Sequence, residues 1–408
     1  MFYNTIQTDG SKGKSLKSGF RSGTTSERVY FPNLNAVRFF AASLVVAVHV
    51  EQARSMFGLQ NIWKVPMFYA LGDKGVTLFF VLSGFLITYL LIKEKNKNKT
   101  ISIKDFYLRR ILRIWPLYYL IVCLALFILP SFSFFNWPIW TESLHSNFNS
   151  KVLLFLLILP NVSQALYPSI AFGSQAWSVG VEEQFYLFWP WIIKYSGRLG
   201  TILLLIVIGM PLIVNFLYFI SNNRIGQGNL LNVINFLKLY LSATRIDCMA
   251  MGGLAALILI RDKQSCLRVV FHPVVQLINT AVVIYILLTG FYVQYMSNII
   301  HSAVFSILLI NLAANPKRIF NLENKWADYL GTISYGIYMY HPVCIFLMLK
   351  FLQSVGLPLN EIAVWLLFYL LSFVSTILLA SVSFKYFEKP LLLLKKRFTK
   401  VNSGKPLQ

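Results

Sequence analysis

Residues 33–50 read NLNAVRFFAASLVVAVHV, an apolar stretch interrupted by Arg38 and His49. The two residues are 11 positions apart. In a helix this spacing places both side chains on one face and separates them by about 16 Å along the axis. An ionisable group in hydrocarbon is costly unless it faces a cavity or a partner. We therefore expect this helix to line a path through a membrane. Each residue has an alternative interpretation that stays open. Arg38 would be an interfacial anchor whose guanidinium reaches the lipid headgroups, and His49 would be a helix-end histidine at the opposite interface.

The whole sequence has the composition of a polytopic membrane protein. Of its 408 residues, 57% are hydrophobic and 13% are charged, and the mean hydropathy is +0.62. These values lie outside the range of soluble globular domains. Runs of roughly 17 to 25 apolar residues can cross a bilayer. They predict an all-α bundle of about ten transmembrane helices, near 34–50, 74–92, 111–130, 177–193, 199–220, 245–260, 270–292, 297–314, 329–349 and 362–384.

The distribution of charge predicts the orientation of the chain. The net charge is +22, but the basic residues recur between apolar runs and form no single patch with stacking aromatics, which argues against nucleic-acid binding. With the N-terminus inside, 28 of the 37 Lys and Arg residues lie in cytoplasmic segments, as the positive-inside rule requires. We therefore predict that both termini are cytoplasmic. The apolar run 151–160 is too short to cross, and it predicts a re-entrant or interfacial helix.

The two ends of the chain differ from its apolar middle. Residues 1–31 are polar and lack helical periodicity, which predicts a disordered basic cytoplasmic tail. Residues 32–392 form the predicted membrane domain, and residues 393–408 form a second basic cytoplasmic tail. The four cysteines are scattered without paired spacing, which indicates neither a disulfide framework nor a metal site. We expect no metal ion and no permanently bound cofactor.

Two neighbouring carboxylates begin the helix predicted at 177–193. Glu182 and Glu183 occur in QAWSVGVEEQFYLFWP, at the outer start of that helix. At the level of His49, the Glu182 carboxylate would fix the imidazole tautomer and stabilise its protonated form. We expect Glu183 to contact the substrate. The alternative is that both carboxylates are solvated at the interface, within the aromatic belt that the surrounding Trp, Phe and Tyr residues suggest.

A histidine lies in the middle of the helix predicted at 329–349. In the segment LGTISYGIYMYHPV, His341 follows Tyr338 by three residues and precedes Pro342. Proline frees a backbone carbonyl and kinks a helix, and such kinks are tolerated where helices line a cavity. This favours His341 and Tyr338 as substrate-binding residues. The alternative is a core histidine that is hydrogen-bonded to a neighbouring tyrosine or carbonyl.

Two further segments carry charged side chains at the ends of predicted spans. TRIDCMAMGG places Arg245 and Asp247 near the outer face, either as an interfacial ion pair or as contacts with an incoming carbohydrate or phosphate. KDFYLRRILRIWP places Arg109, Arg110 and Arg113 at the inner face. Arg109 and Arg113 share a helical face, and forked guanidinium groups suit phosphate recognition. The alternative for these arginines is an anchor that binds anionic lipid.

Four of these segments together resemble the membrane-bound acyltransferase family 3, over residues 32–392. They are Arg38 and His49 as R-x10-H, GVTLFFVLSGFLIT at 75–88, FYLRRILRIWP at 106–116, and WSVGVEEQFYLFWP at 177–190. In the second segment Thr77 stands where the family pattern has Asp, which weakens a role for an acid there. Longer members carry an additional soluble domain, and the sequence resembles a stand-alone member.

The resemblance implies an activity and a location. Acyl-coenzyme A, most often acetyl-coenzyme A, would serve as co-substrate from the cytoplasm, and the acyl group would pass to a hydroxyl of a surface or lipid-linked carbohydrate. The protein would lie in a bacterial cytoplasmic membrane. The resemblance implies catalytic roles for Arg38 and His49, and Glu182 matches the acidic motif. Arg109, Arg110 and Arg113 would hold the donor phosphates together with Arg38.

Several questions stay open at the level of sequence. His49 would act either as a general base or as an acyl relay. The acceptor sugar, the acyl chain and the oligomeric state cannot be read from the residues. A transporter or flippase for a glycan or a lipid-linked precursor is the alternative function, because polar residues along the membrane normal also describe a permeation route.

Overall fold

The computed structural model describes residues 29–137, 140–223, 228–261, 263–294 and 296–399. Side chains 140–142 and 395–396 lie outside this description. The described chain folds into helices α1 to α17: Leu34–Met56, Pro66–Asn98, Ile103–Cys123, Trp140–His145, Phe148–Leu156, Pro160–Leu166, Trp177–Tyr195, Leu199–Asn222, Asn229–Thr244, Ile246–Ile260, Gln264–Val270, Pro273–Thr289, Ser297–Ala314, Lys325–Thr332, Ser334–Ser354, Ile362–Ser383 and Lys389–Leu394. Short π-helical turns follow α3 and α16 at Leu124–Ile128 and Phe384–Glu388, and 3-10 turns lie at Leu129–Ser131, Ser133–Phe135, Ser174–Ala176 and Lys395–Phe398. The described residues contain no regular β-strand.

The protein is a multi-pass membrane protein. Within the described residues, eight helices are long and apolar enough to cross a bilayer, and a ninth span results if α11 and α12, bent by 60°, count as one. The tenth predicted span corresponds to α7. This helix carries Glu182, Glu183 and Lys194 within 19 residues, so it is not apolar enough to count by composition. The prediction of an all-helical membrane bundle is confirmed, whereas the number of about ten spans and the orientation of the termini stay predictions.

Helices α2 and α10 cross at the centre of the bundle through glycines. A Cβ atom on Gly84 would lie 1.9 Å from the Met249 carbonyl oxygen, and one on Gly252 would lie 2.0 Å from the Val81 carbonyl oxygen. Small residues allow the close backbone approach on which helix packing in lipid depends. The GFLIT and MGG segments therefore fix the position of α2, which forms one wall of the site described below.

The short apolar run 151–160 does not form a span. Its residues 151–156 belong to α5 and its last residue, Pro160, begins α6; these helices have nine and seven residues and are too short to cross about 30 Å of hydrocarbon. The Tyr118 and Tyr119 hydroxyls of α3 donate to the carbonyls of Phe155 and Leu156 at 2.8 and 2.9 Å. These bonds satisfy orphan carbonyls at the end of α5 and attach this segment to the bundle.

The predicted tail boundaries differ from the structure at two points. The predicted disorder of residues 1–28 lies outside the described residues, but Val29 to Phe31 are described, and Phe31 packs against Phe85 and Tyr89 with ring centroids 5.3 and 4.8 Å apart. At the other end, the carbonyl of Phe398 accepts a hydrogen bond from Arg109. The short segments at both edges of the membrane domain are therefore attached to it, and residues 400–408 lie outside the described residues.

Candidate active site

A cavity of about 1010 Å³ runs through the bundle between α1, α2, α3, α7, α15 and the segment after α16. On α2 its lining extends from Val76 to Leu90, which corresponds to about 21 Å of helix. Exposed Lys325 and Lys385 mark one end of the cavity, and the buried residue Tyr338 lies at the other. We call the lysine-lined end the mouth and the Tyr338 end the closed end. A long, narrow ligand therefore fits this space better than a compact one.

Three arginines line the cavity. Arg38 of α1 donates from Nη1 to Asn35 Oδ1 at 3.2 Å, which orients its guanidinium group. Arg110 and Arg113 of α3 lie one helical turn apart on the facing wall. The Arg110 guanidinium packs over the Tyr186 ring, 5.6 Å from its centroid, and its buried Nε makes no hydrogen bond to the described residues. The three guanidinium groups together form a cationic wall that suits a phosphorylated ligand.

Glu182 belongs to this arginine-lined wall. Its carboxylate accepts a hydrogen bond from the Tyr186 hydroxyl at 2.9 Å, and the same hydroxyl contacts Ser83 of α2. The predicted pairing of Glu182 with His49 is therefore replaced by pairing within α7, at the level of Arg38 and Arg110. The predicted contact was wrong because Tyr186, one turn further along α7, holds the Glu182 carboxylate and is itself held by Ser83 of α2.

His49 forms a pair with His341 beyond the closed end of the cavity. The two ring centroids are 4.8 Å apart. His49 Nδ1 lies 2.8 Å from the Val45 carbonyl oxygen, and His341 Nδ1 lies 2.7 Å from the Tyr338 carbonyl oxygen. A carbonyl oxygen only accepts, so both rings carry their proton on Nδ1 and leave Nε2 as an acceptor. The His49 side chain is half-buried, and His341 is fully buried.

Two aromatic rings separate the histidine pair from the cavity. Phe79 and Tyr338 both line its closed end, with ring centroids 5.9 Å apart. On its other side the Tyr338 ring contacts His341 at 5.9 Å between centroids, and its hydroxyl is held by Ser178 Oγ at 2.7 Å. The structure thus places His341 beside His49, and Tyr338 lies between His341 and the cavity; their roles in substrate binding stay predictions.

Arg109 does not line the cavity. Its guanidinium donates to Glu94 Oε2 at 3.0 Å and to the Phe398 carbonyl oxygen at 2.7 Å. Both Arg109 and Glu94 are buried. The predicted pairing of Arg109 with Arg113 on one face is thus corrected: Arg110 takes that place, because a buried acidic partner on α2 draws Arg109 to the other side of α3.

Three other predicted substrate-binding residues also lie away from the cavity lining. Glu183 accepts a hydrogen bond from Trp115 Nε1 at 3.0 Å. Arg245 lies at the junction of α9 and α10 with φ of 45°, and its guanidinium pairs with the Asp73 carboxylate. Asp247 is buried in the first turn of α10, where the helix dipole stabilises a negative charge. The ion-pair interpretation of Arg245 is thus correct in kind, but its partner is Asp73 of α2.

The sequence prediction missed Glu388, which lines the cavity near the mouth. The π-helical turn Phe384–Glu388 interrupts the last span there, and Glu388 Oε1 accepts a hydrogen bond from Ser383 Oγ at 3.3 Å. An acidic residue within the basic segment KYFEKPLLLLKKRFTK was the available signal. Among the described residues, no group of three His, Cys, Asp or Glu side chains could hold a metal ion.

An arginine-lined cavity that ends beside paired histidines agrees with the family pattern of R-x10-H. A family model described as an acyltransferase domain matches residues 31–383. The chain belongs to acyltransferase family 3. Its members in the curated set include YrhL of Bacillus subtilis, a candidate peptidoglycan O-acetyltransferase, which is 27% identical over 399 residues. The peptidoglycan O-acetyltransferase OatA of Listeria monocytogenes and the O-acetyltransferase OatA of Staphylococcus aureus are each 26% identical.

These relatives are longer than the chain. The matches cover 90%, 90% and 89% of this chain, but only 56%, 57% and 57% of YrhL and the two OatA proteins. The chain therefore corresponds to about half the length of the family members that it matches. No solved structure is significantly similar to it.

Proposed function

We propose that the protein transfers an acetyl group from acetyl-coenzyme A to a hydroxyl of a cell-surface carbohydrate. The observation that carries this proposal is the cavity lined by Arg38, Arg110 and Arg113, whose closed end adjoins His341 and His49. Phosphates would bind the guanidinium groups, and the thioester would approach the histidines. The donor would enter from the cytoplasm through the mouth, in a bacterial cytoplasmic membrane. The names of YrhL and of the Listeria monocytogenes OatA, both of which specify peptidoglycan, support a glycan acceptor.

The spacing of Arg38 and His49 matches the length of the donor arm. Their 11-residue separation on α1 corresponds to about 16 Å. From the phosphorus to the sulfur of coenzyme A, the pantetheine arm contains about 13 bonds, and an extended chain advances about 1.2 Å per bond, or about 16 Å in total. A phosphate bound at Arg38 would therefore place the thioester at the level of His49. For this the arm must pass Phe79 and Tyr338, so these rings must move aside when the donor binds.

The tautomer of His49 suits general-base catalysis. The proton on Nδ1 is held by the Val45 carbonyl, which leaves Nε2 free to accept the proton of the acceptor hydroxyl. The hydroxyl oxygen then bonds to the thioester carbonyl carbon, the carbon–sulfur bond breaks, and the thiolate of coenzyme A takes the proton back from Nε2. Glu182 would balance charge and orient the arginines through Tyr186, a role in donor binding that replaces the one first expected beside His49.

The test uses the full chain in lipid nanodiscs with radiolabelled acetyl-coenzyme A and a peptidoglycan disaccharide. We expect label on the disaccharide. His49→Ala should lower the rate by about 100- to 10,000-fold, the usual contribution of a general base, while His145→Ala, at an exposed position, should retain it. Wild-type activity in His49→Ala would refute the mechanism. In proteoliposomes, glycan that crosses the membrane unmodified would instead support a flippase, and an acetylated His49 trapped without acceptor would support a relay.

A further inference from the structure

The histidine pair has an unused hydrogen-bonding capacity. His341 is 0% exposed, and its Nε2 makes no hydrogen bond to any described residue. A buried polar atom without a partner is costly, so such an atom in a native structure calls for an explanation. The ring lies 4.8 Å from that of His49, between centroids, at an angle of 59°. The ring that carries the unsatisfied atom therefore lies next to the ring of the proposed base.

The backbone determines what each ring can accept. Both Nδ1 atoms are committed to carbonyls of their own helices, Val45 on α1 and Tyr338 on α15. Both Nε2 atoms are therefore unprotonated acceptors in the neutral pair. Two adjacent acceptors cannot satisfy each other without a proton between them. A ligand that satisfies both must bring two donors.

We propose that His341 is an acceptor-orienting residue that binds a second hydroxyl of the sugar, while His49 takes the proton of the hydroxyl that reacts. This inference rests on the proposed function and specifies its substrate: the acceptor carries two O–H groups close enough to reach two rings 4.8 Å apart. Hydroxyls on neighbouring carbons of a sugar ring meet this condition, and so do two hydroxyls that converge across a glycosidic linkage.

Bond making is confined to the first hydroxyl. Its proton moves to His49 Nε2, its oxygen forms the ester, and the thiolate leaves with that proton. The second hydroxyl keeps its proton and donates it in a hydrogen bond to His341 Nε2 throughout. His341 therefore contributes to acceptor binding and orientation, and the donor cavity, whose lining does not include it among the described residues, keeps its affinity for acetyl-coenzyme A when His341 is changed.

The first experiment removes the second hydroxyl from the ligand and Nε2 from the protein. The acceptors are the peptidoglycan disaccharide and a set of monodeoxy analogues, in which each hydroxyl other than the acetylated one is replaced by hydrogen in turn. With the wild-type chain, one analogue should lose about 5- to 150-fold in kcat/KM, because it leaves a buried acceptor unpaired. The other analogues should stay close to the parent disaccharide.

Two isosteric variants separate orientation from packing. In the His341→Asn variant, the amide nitrogen of the new side chain takes the position of Nδ1 and can still donate to the Tyr338 carbonyl. The asparagine side chain has no atom at the position of Nε2. His341→Gln reaches that position with an amide oxygen. In the wild-type chain, kcat/KM for the disaccharide should exceed kcat/KM for the sensitive analogue. We expect His341→Asn to reduce this ratio of kcat/KM values to about one, and His341→Gln to retain part of the difference. His301→Asn, which changes a histidine 1% exposed on α13, is the matched control and should keep the full ratio.

The outcomes distinguish this inference from the proposed function. If the wild-type chain acetylates no hydroxyl of the disaccharide, the proposed function fails. If it does so, but His341→Asn slows all analogues by one common factor, His341 only supports packing and the inference is overturned. An unchanged kcat/KM in His341→Asn would overturn it equally.

A second measurement tests the tautomers without any activity. In the full chain labelled with ¹⁵N-histidine, the ring shifts of His49 and His341 should both report Nδ1–H. His301 provides an internal reference of the opposite kind, since its Nε2 lies 3.1 Å from the Phe291 carbonyl oxygen. An Nε2–H tautomer on His341 would remove the acceptor on which the inference depends and would overturn it.

Discussion

Three arginines of one helix turn provide the sharpest test of donor binding. Arg109, Arg110 and Arg113 lie within five residues on α3, so their Gln variants remove the same charge from nearly the same place. Only Arg110 and Arg113 line the cavity, whereas Arg109 is paired with Glu94. We expect Arg110→Gln and Arg113→Gln to weaken acetyl-coenzyme A binding, and Arg109→Gln to destabilise the protein with donor affinity unchanged.

The kind of contact that each arginine makes determines how large the effect of its loss should be. A hydrogen bond to a charged group contributes about 1.5–3 kcal/mol, so the loss of one guanidinium–phosphate contact raises Kd by about 10- to 150-fold. Breaking a buried ion pair costs about 3–5 kcal/mol. The Arg109–Glu94 pair meets that condition, since both side chains are at most 10% exposed and the Nη2–Oε2 distance is 3.0 Å.

Two assays separate these effects. Titration calorimetry of the nanodisc-embedded protein with acetyl-coenzyme A gives Kd, and the temperature at which the detergent-solubilised protein loses its monodisperse elution peak gives relative stability. The reasoning is refuted if Arg109→Gln binds donor as weakly as the other two variants at a temperature where it remains folded. It is also refuted if both cavity variants retain wild-type Kd.

Two predictions concern the helix packing that positions the site. Gly84→Ala should sharply reduce the yield of folded protein, because its Cβ would lie 1.9 Å from the Met249 carbonyl oxygen, whereas Gly209→Ala, with nothing within 4 Å, should not; equal yields of the two would contradict this packing. Asp73→Asn should lower thermal stability by leaving the partly buried Arg245 guanidinium without its anion, and Arg245→Gln should add little to that loss in a double-mutant cycle. Fully additive losses would mean that the pair is not coupled.

Sequence periodicity predicts the helices well because lipid leaves the backbone few alternatives. Apolar length located most of the long helices of the described chain but missed α9, Asn229–Thr244, and the 11-residue spacing placed Arg38 and His49 on one face of α1. Length also identified 151–160 as too short to cross. Composition predicts a membrane span less well where the helix carries charged residues that other helices cover, as α7 does with Glu182 and Glu183.

The partner of each charged residue could not be predicted in the same way. Arg109 and Arg110 are adjacent in sequence and chemically identical, and only the position of Glu94 on α2 decides which one lies outside the cavity. Arg245 and Asp247 suggested an interfacial ion pair, yet Asp73 approaches Arg245 from another helix. Such choices depend on the relative depth of helices, which periodicity within one segment does not contain.

The balance of charge around the cavity favours one kind of donor. Among the described residues, its lining contains six Lys and Arg side chains and three Asp and Glu side chains, which leaves a formal surplus of three positive charges. Lys325 and Lys385 are exposed at the mouth, but the arginines lie inside the bundle, where an unpaired charge is costly unless an anion is bound. A phosphate monoester carries about two negative charges near pH 7, and the diphosphate bridge of coenzyme A adds about two more. A donor of this charge would offset the surplus, whereas an uncharged thioester would leave it unpaired. The same argument explains why Glu182 lies among the arginines: a carboxylate beside three guanidinium groups lowers the cost of their mutual repulsion without cancelling the positive charge of the cavity.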